Sequence, residues 1–165
     1  MPAGPEIESR AGQPYVAIRT QVAQPRLGTV VPPLNQEVFA WLGERGGVPS
    51  GPPFWKYNVI DMPRNIEVEA GVTVAQPLAG NGRVIAGVLP AGRYATLSHV
   101  GAPDTLAGAT ASLLDWAASE DLAFDVSPSP EGERWGCRLE IYLTDPRDEP
   151  DMSKWETRLA FRLAG

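Results

Sequence analysis

A chain of 165 residues suits one domain, or two small halves sharing a core, and 43% apolar with 21% charged residues is a globular composition, not a disordered one. The net charge of −6, with no Lys/Arg stripe and only Lys56 and Lys154 as lysines, speaks against autonomous nucleic-acid binding, which needs cations against phosphates. No run approaches the ~18 apolar residues of a membrane span, the N-terminus lacks the basic segment and apolar core of a secretory signal, and the single cysteine, Cys137, excludes an internal disulfide and fits the cytoplasm.

Residues 1–12 read as a flexible lead-in. Alternation then predicts a strand over 15–22, with Val16, Ile18, Thr20 and Val22 on one face. Pro32 and Pro33 suit the first turn of a helix over 32–45, whose stripe of Leu34, Val38, Trp41 and Leu42 ends at Gly46-Gly47. Strands follow over 54–61 and 66–74, the second with Ile66, Val68, Ala70, Val72 and Val74 inward and Glu67, Glu69 and Thr73 outward. Shorter strands are expected over 84–88 and 93–100, and a second helix over 103–120 with Leu106, Ala109, Leu113 and Ala117 along one stripe. Residues 125–134 read as a polar loop. The last strand carries Trp155, Leu159, Phe161 and Leu163 inward.

Between that loop and the last strand lies the stretch C-R-L-E-I-Y-L-T-D, residues 137–145. Alternation puts Cys137, Leu139, Ile141 and Leu143 on one side and Arg138, Glu140, Tyr142 and Thr144 on the other. By periodicity alone this is a half-buried strand with its polar side in water. A carboxylate and a phenol two residues apart on one face, backed by a fully apolar one, also make it the candidate site. The remaining chemistry is limited. Only His99 and Cys137 accompany the carboxylates as metal ligands, so no metal and no cofactor is expected. His99 is read as a hydrogen-bonded structural residue and Cys137 as a small buried hydrophobe. Neither a G-x-S-x-G elbow nor a phosphate-binding glycine fingerprint occurs.

The order strand, helix, strand, strand occurs twice, in half repeats of about 13–79 and 84–165 of a single domain over 1–165. Two copies too small to hold a core alone should pair about a pseudo-twofold axis, with their helices on one face of the combined sheets. Matching tyrosines aligns Tyr57 with Tyr142, whereas matching aspartates aligns Asp61 with Asp145. That slip decides which face Tyr57 occupies.

Three motifs carry a resemblance: G-P-P-F-x-x-Y at 51–57, L-P-A-G-R-Y at 89–94 followed by H-V-G at 99–101, and L-E-I-Y-L-T-D-P at 139–146. In this order and spacing, over about residues 13–163, the chain resembles the GyrI-like small-molecule-binding family, also seen as the effector-binding domain of AraC- and MerR-type regulators. The resemblance implies an α+β fold of tandem β-α-β-β repeats with pseudo-twofold symmetry, antiparallel sheets with two helices on one face, and a ligand cleft between the halves. It places Glu140 on the family's acidic cleft residue and Tyr57 on its aromatic partner, with Tyr142 as a wall residue. Trp41, Phe54, Trp55, Trp116 and Trp135 are candidates for the remaining lining, to be divided between cleft and core.

The implied ligand is a hydrophobic or cationic small molecule, because a carboxylate among rings offers charge neutralisation and cation–π attraction. Arg138, on the same face, is a candidate partner for that carboxylate. Only a short tail precedes residue 15, so no helix-turn-helix region and no direct nucleic-acid binding are expected, and a membrane partner is not expected either. Stand-alone relatives leave three functions open. These are a sensor or sequestering protein, a hydrolase opening electrophilic cyclopropanes with Glu140 and Tyr57 as its catalytic pair, and a module that inhibits DNA gyrase. A protein partner (regulator or gyrase) and a homodimer also remain open.

Overall fold

Ten strands form one curled antiparallel sheet in the computed structural model, which describes residues 4–61 and 64–165. In chain order they are β1 (Glu6–Arg10), β2 (Gln13–Val22), β3 (Pro49–Asp61), β4 (Asn65–Val74), β5 (Val84–Leu89), β6 (Gly92–Val100), β7 (Val126–Ser129), β8 (Gly132–Trp135), β9 (Arg138–Tyr142) and β10 (Glu156–Arg162). A helical turn α1 (Leu27–Val30) leads into helix α2 (Pro32–Glu44), and helix α3 (Leu106–Ser119) follows β6. The strands lie side by side as β1-β6-β10-β9-β3-β4-β2-β5, with the β7–β8 hairpin joined to β3 through β8.

This order displays the internal repeat. Strands β2, β3 and β4 with α2 form one β-α-β-β unit, and β6, β9 and β10 with α3 form the other. Their second strands, β3 and β9, pair directly, so the units meet at the centre of the sheet as two copies about a pseudo-twofold axis would. Strands β5 and β1 extend the two outer edges.

The register shows how the two helices leave a gap between them. Reading across the sheet, Leu97, Leu159, Glu140, Trp55, Ala70 and Ile18 are successive neighbours and share one face. At one end Ile18 packs with Val38 and Leu42 of α2. At the other Leu159 packs with Ala109 and Leu113 of α3. Both helices therefore cover this face, each over its own half, and the middle of the row is Trp55 and Glu140. Apolar stripes at helical spacing make α2 and α3 pack here. Gly46, at φ +67°, ends α2 in the left-handed conformation that a glycine adopts without strain.

Three expectations change. Residues 6–10 of the supposed flexible lead-in form β1, held along β6 from Glu6↔Thr96 to Arg10↔Gly92; positions 1–3 lie outside the described residues. The polar stretch 125–134 contains the β7–β8 hairpin, with Gly132 at φ +129° beside its turn. Its polar side chains face water while Trp135 turns into the core, so a run of polar residues disguises a strand. Finally, Glu69 and Thr73, expected outward, are buried, because the sheet curls and its second face is also covered. That face holds Tyr15, Phe54, Tyr94, Cys137, Leu139 and Ile141 as one apolar cluster.

Gly71 sits where the neighbouring strands β2 and β3 leave no room for a Cβ. A Cβ there would lie 2.8 Å from the Val16 carbonyl oxygen, 2.9 Å from the Ala17 Cβ and 3.0 Å from the Phe54 ring. Gly71→Ala should therefore lower stability by ~1–3 kcal/mol, an overpacking cost measurable by thermal denaturation. An unchanged melting temperature would show that β2 and β4 can separate at no cost.

Candidate functional site

Glu140 stands in β9 between the two helices, opposite Trp55 of β3. Its Oε1 accepts two hydrogen bonds, one from the Tyr142 hydroxyl at 2.7 Å and one from the Tyr57 hydroxyl at 3.0 Å. Tyr142 reaches it from two residues along the same strand, and Tyr57 from the other half of the molecule. The second carboxylate oxygen, Oε2, accepts no hydrogen bond from the described residues. An apolar row thus carries one carboxylate at its centre, with one oxygen occupied by phenols and the other left for a further donor.

Local backbone geometry places Tyr57. Trp55 and Tyr57 alternate onto the Glu140 face, while Phe54 and Lys56 point the other way. A bulge follows between Tyr57 and Val59, where Asn58 is the extra residue opposite β4. The register question is thereby answered: Tyr57 is on the same face as Glu140, although only 8% exposed.

Aromatic rings frame the carboxylate. Trp55 meets Tyr142 edge to face with ring centroids 5.2 Å apart, and its indole Nε1–H donates to Asn35 Oδ1 at 2.8 Å. Asn35 is a buried polar residue of α2, three residues before Val38 and seven before Leu42 on the stripe that faces the sheet. Reading that position as core-facing is the signal that would have identified it beforehand.

Arg138 lies on the same strand face as Glu140, but not as a close ion-pair partner. It forms no ion pair within 4 Å and no hydrogen bond with a described residue. Instead its guanidinium rests on three rings, 4.5 Å from the Phe161 centroid, 4.6 Å from Trp135 and 6.0 Å from Tyr57. These rings carry a cation of the chain itself.

Burial governs the protonation behaviour. Loss of water pushes the Glu140 carboxyl above its ordinary value, against the lowering effects of Tyr142, Tyr57 and Arg138. Tyr57 and Tyr142 are pushed up, first by burial and then by the Glu140 charge. Arg138 is pulled down by burial, which Glu140 partly offsets. The arrangement is a carboxylate of raised basicity touching two protonated phenols, beside a guanidinium held by rings.

The other aromatic candidates separate. Phe54 is on the reverse face, 5.6 Å from Tyr15 in the core. Trp41 packs along α2 with the Arg45 guanidinium 4.0 Å over its ring. Trp116 packs with the α3-side core. Trp135 belongs to that core too, stacked with Phe124 and Phe161, and touches the site only through Arg138. Phe54, Trp41 and Trp116 pack against the core clusters, and the side chains gathered at the carboxylate are Tyr57, Tyr142 and Trp55. His99 shares a 2.7 Å hydrogen bond with Thr105 at the entry to α3, and Cys137 is fully buried. Among the described residues no group of three or more His, Cys, Asp or Glu side chains could hold a metal ion.

A family model described as the GyrI-like small molecule binding domain matches residues 4–164. The chain belongs to this family. It is a GyrI-like small-molecule-binding domain, and its α+β architecture agrees with solved relatives. EcmrR, seen in complex with DNA, superposes with a TM-score of 0.76 at 20% identity, over 96% of this chain and 56% of that one. This chain therefore spans little more than half the length of EcmrR. The protein SAV2435, solved bound to tetraphenylphosphonium, gives a TM-score of 0.69 at 13% identity, over 99% of this chain and 95% of that one. A hydrolase from Listeria innocua gives 0.62 at 16% identity, over 98% and 92%. No curated protein sequence matches. At these identities the likeness to solved structures is one of fold. No described helix is long and apolar enough to cross a membrane.

Proposed function

We propose that this GyrI-like domain holds a hydrophobic small molecule, neutral or cationic, between its halves, with Glu140 as the polar anchor and Tyr57, Tyr142 and Trp55 as walls. The observation that carries this reading is the convergence of two phenols, one from each repeat, on a single oxygen of Glu140. Such a pair fixes the carboxylate and leaves its other oxygen for a ligand. A preorganised polar group on an apolar floor is the usual constitution of a small-molecule site. The role is that of a sensor or sequestering protein, and the tetraphenylphosphonium found on SAV2435 makes a lipophilic cation the first ligand to try.

The test is a fluorescence titration with tetraphenylphosphonium, and with triphenylphosphine oxide as a neutral counterpart. Glu140→Gln should weaken the cation by about tenfold or more while changing the neutral compound little, since only the cation gains from the carboxylate charge. Equal affinity of both proteins for the cation would remove Glu140 from the ligand site.

A second reading rests on the same contact. A carboxylate of raised basicity beside two phenols is a base next to proton donors, and the Listeria innocua relative is described as a hydrolase. In that role Glu140 deprotonates a water that adds to an electrophilic carbon, while Tyr57 or Tyr142 protonates the carbon released by ring opening. Incubation with an electrophilic cyclopropane separates the two. Hydrolysis product formed by the wild type and lost in Glu140→Gln establishes the enzyme, and bound but unchanged compound establishes the binder.

A further inference from the structure

Tyr57, which reaches Glu140 from the other half of the molecule, owes its place to the bulge in β3. Before the bulge, Trp55↔Ala70 and Tyr57↔Val68 are partners on the Glu140 face, and after it Ile60↔Ile66 are, with Asn58 as the extra residue. Plain alternation would bring Val59 next onto the face of Tyr57. The inserted residue brings Ile60 instead, and Ile60 packs with Tyr57, Ile66 and Val68. The partner on the other side of β3 changes at the same place, from β9 at Lys56↔Leu139 to β8 at Val59↔Arg134. Shifting the extra residue to Lys56 would turn Tyr57 onto the reverse face, away from Glu140.

The side chain of Asn58 fixes where the extra residue lies. It is buried on the reverse face, where Nδ2 donates to Glu69 Oε2 at 2.6 Å and to Glu67 Oε2 at 3.1 Å, while Oδ1 accepts from Lys56 Nζ at 2.6 Å. Glu69 is held in turn by the Tyr15 hydroxyl, which donates to Oε1 at 2.5 Å. One amide thus meets two carboxylates with its N–H groups and an ammonium with its oxygen. Aspartate in its place would offer no donor and would add a negative charge beside Glu67 and Glu69. An aliphatic side chain would leave all three charged groups without this partner. Lys56 belongs to β3 and the two glutamates to β4, so the amide ties the bulge to both strands that define it.

We propose that Asn58 is a positioning residue of the Glu140 site: from the reverse face of the sheet its amide pins the β3 bulge and so holds the Tyr57 hydroxyl on the carboxylate. Tyr142 needs no such device, because it lies on the strand of Glu140 itself. The use of this device to a ligand rests on the function proposed above, whereas the positioning is a property of the ligand-free protein.

The experiment titrates Glu140 in ligand-free protein by carbon-13 NMR of the glutamate carboxyl groups, with the Glu140 signal assigned by its loss in Glu140→Gln. Tyr57→Phe removes one of the hydroxyls that lower the Glu140 carboxyl, so the titration midpoint should rise above that of wild type. Asn58→Ala, which changes no charge, should reproduce most of that rise. Adding it to Tyr57→Phe should raise the midpoint little further, because both changes remove the same contact. A residue that only stabilised the fold would lower the melting temperature and leave the Glu140 midpoint in place. If Asn58→Ala does not fold, Glu67→Ala cuts one tether of the amide at a partly exposed carboxylate. Loss of that negative charge by itself lowers the Glu140 midpoint, so a rise still reports a loosened bulge. The proposal is overturned if folded Asn58→Ala titrates as wild type, if its shift adds in full to that of Tyr57→Phe, or, where only Glu67→Ala folds, if that variant gives no rise. Tetraphenylphosphonium enters none of these samples, so its failure to bind would strike the proposed function and leave this result standing.

Discussion

Glu69→Ala is expected to destabilise the protein by about 3–5 kcal/mol, the cost of breaking a buried charge network from one side. The carboxylate is 1% exposed and accepts from Tyr15 and Asn58, with Lys56 Nζ at 3.6 Å and Arg19 at 3.7 Å. Alanine would strand the Lys56 ammonium, itself 9% exposed, and leave a phenol and an amide N–H without their acceptor. It would also open a void between β2 and β3. Glu69→Gln keeps the shape and one acceptor, so its loss should be clearly smaller, and the difference between the variants isolates the charge. Urea unfolding midpoints of the three proteins measure both quantities. Equal stability of Glu69→Ala and wild type would mean that Lys56 finds water or another partner, and the network would then have no stabilising role.

Burial of Glu69 also marks the boundary of what alternation can reveal. Period-two patterning identifies the two faces of β4 correctly, because Val68, Ala70 and Val72 share one side. It then assigns the other side to water, a rule that suits a sheet with one covered face. Here the curl of the sheet buries the second face as well, bringing Tyr15, Phe54, Tyr94 and Leu139 together, and those contacts are long-range. Strand β1 is legible only through its partner β6, since Glu6, Glu8 and Arg10 carry no apolar alternation of their own.

The side-chain cluster at Glu140 was legible for a different reason. Glu140 and Tyr142 lie two apart in one strand, so the pleat alone brings them together, and Tyr57 joins them through a motif set at fixed spacing. The part of the tryptophans was not legible, because both core and cleft accept an indole. Only the helix stripe and the register decide that Trp55 faces Glu140 while Trp41 and Trp116 pack along their helices. Arg138 was placed on the correct face, but its seat on Phe161 and Trp135 depends on how the β7–β8 hairpin folds back, and the chain there reads as a polar loop.

That seat makes Arg138→Met the most informative change in the cleft. The guanidinium rests on the Trp135 and Phe161 rings, and its charge lies close enough to Glu140 to hold the carboxyl lower than burial alone would. Methionine keeps much of the volume and makes favourable sulfur–ring contacts, so the core around Trp135 should persist. With the internal cation gone, tetraphenylphosphonium no longer competes for rings and carboxylate, and its affinity should rise by about tenfold or more. The proton behaviour changes with it. Glu140 in the folded state already sits above its unfolded value, so its contribution to stability is fully present in acid and is lost as pH rises through the raised value. Arg138→Met removes one lowering influence, which moves that loss to higher pH and increases the proton release that accompanies cation binding. Calorimetric titration in two buffers of different ionisation enthalpy measures the released proton, and parallel melting curves against pH locate the shift. Unchanged cation affinity together with an unchanged pH profile would mean that Arg138 is only a packing element of the α3 core. Tighter binding with proton release would make it an internal stand-in for the ligand, one that sets how hydrophobic and how cationic a molecule must be to displace it.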